Sequence, residues 1–201
     1  PTICRVAPRN CPTRPSALIQ TTMHRSERMS GILDQARTEF EKIRDVYDLP
    51  EHHVFPLWTL LHLHFASDFS SNAIHDAYFQ SYKLLEENGP GDAGIDAFHY
   101  DSDAEILYLY QCKHPADRSK KLSIKEAREI LQAHISLSAD AAYGNLHVGE
   151  AREALISHYQ EVLESNGTVT LRVATTGEVS KAQQEKLEKE AEIRGFAYPK
   201  M

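Results

Sequence analysis

Two hydrophobic periods divide this chain. From Gly31 to Tyr47 the apolar positions Ile32, Leu33, Ala36, Phe40, Ile43, Val46 and Tyr47 recur at helical spacing, which predicts an amphipathic helix ended by Pro50. The stretch HVFPLWTLLHLHFA that follows is apolar nearly all round and predicts a helix buried on most sides. A third helix is expected from about Asn72 to Glu87, with Ile74, Ala77, Tyr78, Tyr82 and Leu85 on its stripe and Asn88-Gly89-Pro90 as its stop. Then the period drops to two. Gly94 to Tyr100 and Ile106 to Lys113 alternate as strands do, and Asp101-Ser102-Asp103 between them is turn chemistry, so the pair predicts an antiparallel hairpin.

A loop centred near Asp103 sets Tyr100 beside Ile106 or Leu107, and Asp96 beside Tyr110 or Gln111. Side chains two apart share a strand face, so Gln111 and Lys113 point the same way, and a register pairing Asp96 with Gln111 gathers all three. A slip of one residue would separate them. Beyond the hairpin, a basic loop enters a helix through the capping box Ser123-x-x-Glu126. A later helix carries Val148, Ala151, Leu155, Tyr159, Val162 and Leu163 and ends at Asn166-Gly167. Thr168 to Ala174 reads as a strand, Ser180-x-x-Gln183 caps another helix, and Phe196-Ala197-Tyr198 opens a further strand. Strand, helix, strand implies a parallel crossover. The expected class is α/β: a mixed central sheet, made of a hairpin plus a βαβ crossover, flanked by helices and preceded by an α-helical N-terminal portion.

Length and composition narrow the organisation. At 201 residues the expectation is a single domain over 23–201, with 23–88 its helical part and 89–201 the sheet with flanking helices. Residues 1–22, rich in Pro, Arg and Thr and without periodicity, read as a disordered extension ahead of Met23 as natural start, and the late strand suggests the N-terminal domain of a longer protein. No apolar run reaches the ~18–20 residues of a membrane span, and no signal-peptide core is visible. Three scattered cysteines, Cys4, Cys11 and Cys112, suit neither a zinc ribbon nor a disulfide scaffold, so a cytoplasmic location is expected. A net charge of -7 leaves any nucleic-acid contact to a local patch.

The hairpin GDAGIDAFHYDSDAEILYLYQCK sets polar residues where a chain making only a core would place Val or Ile. A carboxylate, a second oxygen donor and a lysine on one strand pair are the parts needed to cut a phosphodiester. The carboxylate can hold a hard divalent cation such as Mg²⁺. The lysine can position or deprotonate the attacking water and stabilise the added negative charge. The plainer alternative is an Asp96–Lys113 salt bridge on a solvated surface, worth little.

GDAGID followed by LYLYQCK resembles the PD-(D/E)XK nuclease superfamily, in the branch where glutamine replaces the second acidic residue. It is most similar to the amino-terminal domain of abortive-infection phage-resistance proteins, with Mrr-like restriction endonucleases next. The motif similarity spans about Gly89 to Lys113. The resemblance implies a restriction-endonuclease-like sheet and makes Asp96 the metal carboxylate, Gln111 the residue in the D/E slot and Lys113 the catalytic lysine. It adds the backbone carbonyl of Cys112 and an acid from a preceding helix, Asp68 ahead of Asp76, as metal ligands. It further implies Mg²⁺ or Mn²⁺ as cofactor, an endonuclease more than an exonuclease, and a role in anti-phage defence. Nucleic acid is the implied partner, DNA ahead of RNA, with no membrane and with a homodimer or further domains of a longer chain as its assembly. The neutral amide of Gln111 weakens cation binding, which leaves a catalytically silent nucleic-acid-binding or assembly module of the same fold as the alternative. A purely structural interaction domain ranks third.

Other features carry less. Arg118, Lys120, Lys121 and Lys125 adjoin the motif and could hold a phosphate backbone without reading sequence. Asp92 matches the motif but, as a loop residue, could serve only the turn. His62 and His64 are two apart and share no helix face, which argues against zinc, as it does for the His52-His53 pair. His99 and His114 lie close to the motif in sequence. Cys112 reads as a small core residue, Ser180 as a helix cap, and TTGEVSKAQ lacks P-loop spacing.

Overall fold

The helical period yields three helices, although the structure, a computed structural model, places their ends differently. It describes residues 25–88, 94–115, 129, 137, 149–177, 180–182 and 185, with side chains from residue 34. The chain divides into two units, Pro1–Gln35 and Ala36–Met201. Helix α1 runs Arg25–Val46, six residues further back than the apolar spacing marks. Helix α2 spans Glu51–Leu63 with Pro50 as N-cap, and Val54 through Leu57 and Thr59 through Leu61 are buried. Helix α3, Ser71–Tyr78, continues through a π turn at Phe79–Lys83 into α4, Leu84–Asn88. The expected stripe is therefore corrected after Ala77: Ser81 and Leu84 are fully buried, while Tyr82 and Leu85 are only partly so.

Strand β1 covers Ala97–Asp101 and β2 covers Ile106–Lys113. β1 begins three residues later than alternation suggests. Gly94 adopts φ +77°, and the N–H of Asp96 donates to the Tyr110 carbonyl at 2.8 Å, so the chain enters the ladder at an angle the strand pattern does not show. Tyr100 pairs with Leu107 and Ala97 with Tyr110, where the paired ladder begins. β3, Thr168–Thr175, lies parallel to β2, giving among the described residues a three-stranded mixed sheet in the order β1-β2-β3. The connection from β2 to β3 passes through α5, Glu150–Glu164. The expected strand at Phe196 and the two capping-box helices lie outside, or almost wholly outside, the described residues.

Alternation sorts the core into two clusters. Phe98, Leu107 and Leu109 pack with Leu155, Ile156 and Tyr159 of α5, whereas Ala97, Tyr110 and Cys112 pack with Leu57, Leu60 and Ile74 of α2 and α3. Each fully buried Leu stabilises the fold by roughly 1.5–3 kcal/mol. Leu163 of α5 is a correction: it is 56% exposed, and Ile156 takes its place in the core. α5 ends in a Schellman motif, with Asn166 at φ +57° and the Gly167 N–H donating to the Val162 carbonyl at 2.8 Å. Its start lacks a side-chain cap because Gly149 stands there, and Glu87 of α4 supplies the acceptor, taking the N–H of Arg152 at 3.0 Å.

No helix among the described residues is long and apolar enough to cross a membrane.

Candidate active site

Gln111 and Lys113 extend the β2 face that carries Leu107 and Leu109, past the point where β1 covers it. That explains how two polar side chains can follow a core face: the apolar packing stops and polar partners begin. Gln111 is nevertheless 1% exposed. Its Nε2 donates to Oε2 of Glu129 at 3.0 Å, and Nζ of Lys113 donates to the same oxygen at 3.2 Å. Oε1 of Gln111 is buried and accepts no hydrogen bond among the described residues. Such an orphaned acceptor costs roughly 1–3 kcal/mol unless something else meets it.

Asp96 is 9% exposed at the open end of the hairpin. The backbone N–H of Cys112, the residue between Gln111 and Lys113, donates to its Oδ2 at 2.5 Å. The structure thus brings the Asp96 carboxylate to the Cys112 backbone, and joins Gln111 to Lys113 through Glu129. Cys112 turns to the other face, where burial first and the Asp96 charge second push its thiol well above the ordinary range. That thiol is a core group and no nucleophile.

Glu129 is the residue that motif spacing misses. It lies sixteen positions beyond Lys113 in sequence, in the stretch KEAREI, and no local signal singles it out from the other charged residues of that stretch. Asp68 is engaged at the start of α3, where its carboxylate accepts the N–H of Ser70 at 2.8 Å and the Ser70 hydroxyl at 3.0 Å. Asp76 is exposed on α3. Asp92, Arg118, Lys120, Lys121 and Lys125 lie outside the described residues.

The two histidines next to the motif separate. His114 bonds Glu51 at 2.9 Å and Thr176 at 3.1 Å, against the rings of Phe40 and Phe55. His99 lies on the opposite face of β1 from Phe98, stacked on His64 at 4.0 Å and bonded to Gln80 at 3.0 Å. His64 bonds the Tyr110 hydroxyl at 2.6 Å, which also accepts from Arg172 at 3.0 Å. Burial, then His99 and Arg172, press His64 down to about 3, and burial lifts the Tyr110 phenol to about 12. Both rings are neutral structural members at physiological pH.

Among the described residues no group of three or more His, Cys, Asp and Glu side chains is arranged to hold a metal ion. A cation here would have to use amide and backbone oxygens as well as carboxylates, and the buried, unpartnered Oε1 of Gln111 is an oxygen of that kind. Comparison with known families, curated proteins and solved structures returned no match.

Proposed function

We propose that this chain is a metal-dependent nuclease of the PD-(D/E)XK type, Q-x-K branch, with a restriction-endonuclease-like sheet and a role in anti-phage defence. The observation that carries the reading is the Gln111 amide oxygen, buried without an acceptor's usual partner among the described residues, two positions before Lys113 on the same strand. A structural glutamine would more simply be an apolar residue at that point of β2. Asp96, Gln111 and the backbone carbonyl of Cys112 would hold Mg²⁺ or Mn²⁺, with Glu129 in reach of Gln111 as a further acid. The bound cation supplies charge neutralisation at phosphorus and a more acidic water.

The chain's own residues do the rest. Lys113 brings its ammonium to the site, held by Glu129, where it can neutralise charge gathering on non-bridging phosphate oxygens. Glu129 fixes both Lys113 and Gln111 through one oxygen, so it acts as a positioning residue for the pair. The Cys112 N–H orients the Asp96 carboxylate at the open end of the hairpin.

The test compares plasmid, single-stranded DNA and RNA, with and without Mg²⁺, for the wild type and Lys113→Ala. Cleavage that needs the metal and vanishes in the variant supports the enzyme. Metal-independent binding without cleavage assigns the chain to the silent module instead, and cleavage that persists in both Lys113→Ala and Asp96→Ala removes the reading.

A further inference from the structure

On the α1–α2 side of the molecule, three side chains outside the site above form a continuous hydrogen-bonded chain. The Ser67 hydroxyl lies 2.9 Å from Nδ1 of His62, and Nε2 of His62 lies 2.8 Å from Oε2 of Glu39. Glu39 is 7% exposed and also accepts the indole N–H of Trp58 at 2.7 Å. A carboxylate on Nε2 selects the tautomer with its proton there, which leaves Nδ1 as an acceptor facing Ser67. The imidazole is clamped between Trp58, at 4.4 Å, and Phe69, at 5.5 Å between ring centroids, so its orientation is determined by packing as well as by bonding.

Ser67 lies in the turn that follows α2. It is exposed, and it stands in a left-handed turn, with Ala66 at φ +52° and itself at φ +59°. The turn is maintained by the Ser67 N–H on the Leu61 carbonyl at 2.9 Å and the Asp68 N–H on the Phe65 carbonyl at 2.8 Å.

We propose that Ser67, His62 and Glu39 form a nucleophilic serine relay that acylates on small, unhindered carboxylic esters, at a site separate from the hairpin. The Ser67 oxygen forms a bond to the carbonyl carbon while its proton passes to Nδ1 of His62. The ester C–O bond breaks and the leaving alkoxide takes that proton. Water then attacks the acyl-serine, giving its proton through His62 to the Ser67 oxygen and releasing the acid. Ser67 and His62 touch the reacting atoms, and Glu39 positions His62. Because the amides of Ser67 and Asp68 are already engaged, neither donates to the developing oxyanion, and each missing donor slows such a reaction by about 10²–10³-fold. The activity is therefore slow turnover with ready covalent capture.

The test incubates the full chain with a fluorophosphonate, in which Ser67 displaces fluoride, and with p-nitrophenyl acetate. Intact mass and peptide mapping should find one adduct, on Ser67. Ser67→Gly, whose φ suits glycine and so retains the turn, should abolish it. His62→Gln should slow labelling by about 10²-fold or more. Glu39→Gln should lower kcat for the ester with KM unchanged, while emission from Trp58, the single tryptophan, reports that the packing persists. An adduct on another residue, labelling of Ser67→Gly at the wild-type rate, or a well-folded Glu39→Gln with unchanged kcat overturns the proposal. No residue of the relay belongs to the hairpin site, so failure of the nuclease reading leaves this one standing.

Discussion

The backbone N–H of Cys112 donates to the carboxylate of Asp96 across the open end of the hairpin. Asp96 is thus both a structural acceptor and the candidate metal ligand, and two substitutions separate those roles. Asparagine retains an oxygen that can take the N–H, so Asp96→Asn should unfold within about 1 kcal/mol of the wild type while losing Mg²⁺ binding. Asp96→Ala leaves a buried N–H unmet and should cost roughly 1–3 kcal/mol in a urea titration. Equal losses in both variants would mean that charge, not the hydrogen bond, stabilises this corner.

Gln111→Glu restores the acidic residue usual in the resembled motif. Without a cation it buries a carboxylate beside Glu129, and the melting temperature in EDTA should fall with a loss of at least roughly 1–3 kcal/mol. Mg²⁺ should recover it, since a ligand binding only the folded state stabilises by mass action. A variant whose melting is indifferent to Mg²⁺ would show that the amide oxygen does not face a cation site.

Glu129→Ala releases Lys113 and Gln111 together. The lysine and glutamate side chains are 30% and 44% exposed, so the ion pair itself should be worth no more than about 1 kcal/mol. The expected loss lies in function: metal-dependent cleavage should drop by about 10²-fold through misplacement of Lys113, against abolition in Lys113→Ala. Cleavage kinetics and thermal melting on the same samples distinguish the two effects.

Acid should destabilise the fold through His64. Burial first, then His99 and Arg172, lower the folded-state value from 6.5 to about 3. Between those values the unfolded chain takes up a proton that the folded ring refuses, so stability falls as pH drops through that window and is flat above it. The slope is at most about 1.4 kcal/mol per pH unit and smaller here, because the ring is partly solvated and screened. Melting curves of wild type and His64→Phe at pH 7.5, 5.5 and 4.5, at matched ionic strength, should converge as pH falls.

How much of this was legible beforehand differs between elements. The β2 strand and the hairpin could be read directly, because alternation and turn residues act over a few positions, whereas the register was narrowed to two choices and the structure pairs Tyr100 with Leu107. The entry into β1 could not, since it depends on Asp96 bonding across to Tyr110 and Cys112. The third helix was visible as periodicity, but the π turn that reassigns its buried residues was not.

The sequence alone therefore determined the α/β class, the hairpin and the shared face of Gln111 and Lys113, because those properties follow from local period and chain geometry. Only the tertiary structure decided that Glu129 joins Gln111 to Lys113, that the Gln111 oxygen stays unmet, and that Glu39 reaches His62 from twenty-three residues away. Those meetings depend on how whole helices dock on the sheet and on one another, and docking sums many weak contacts that no short window of sequence contains.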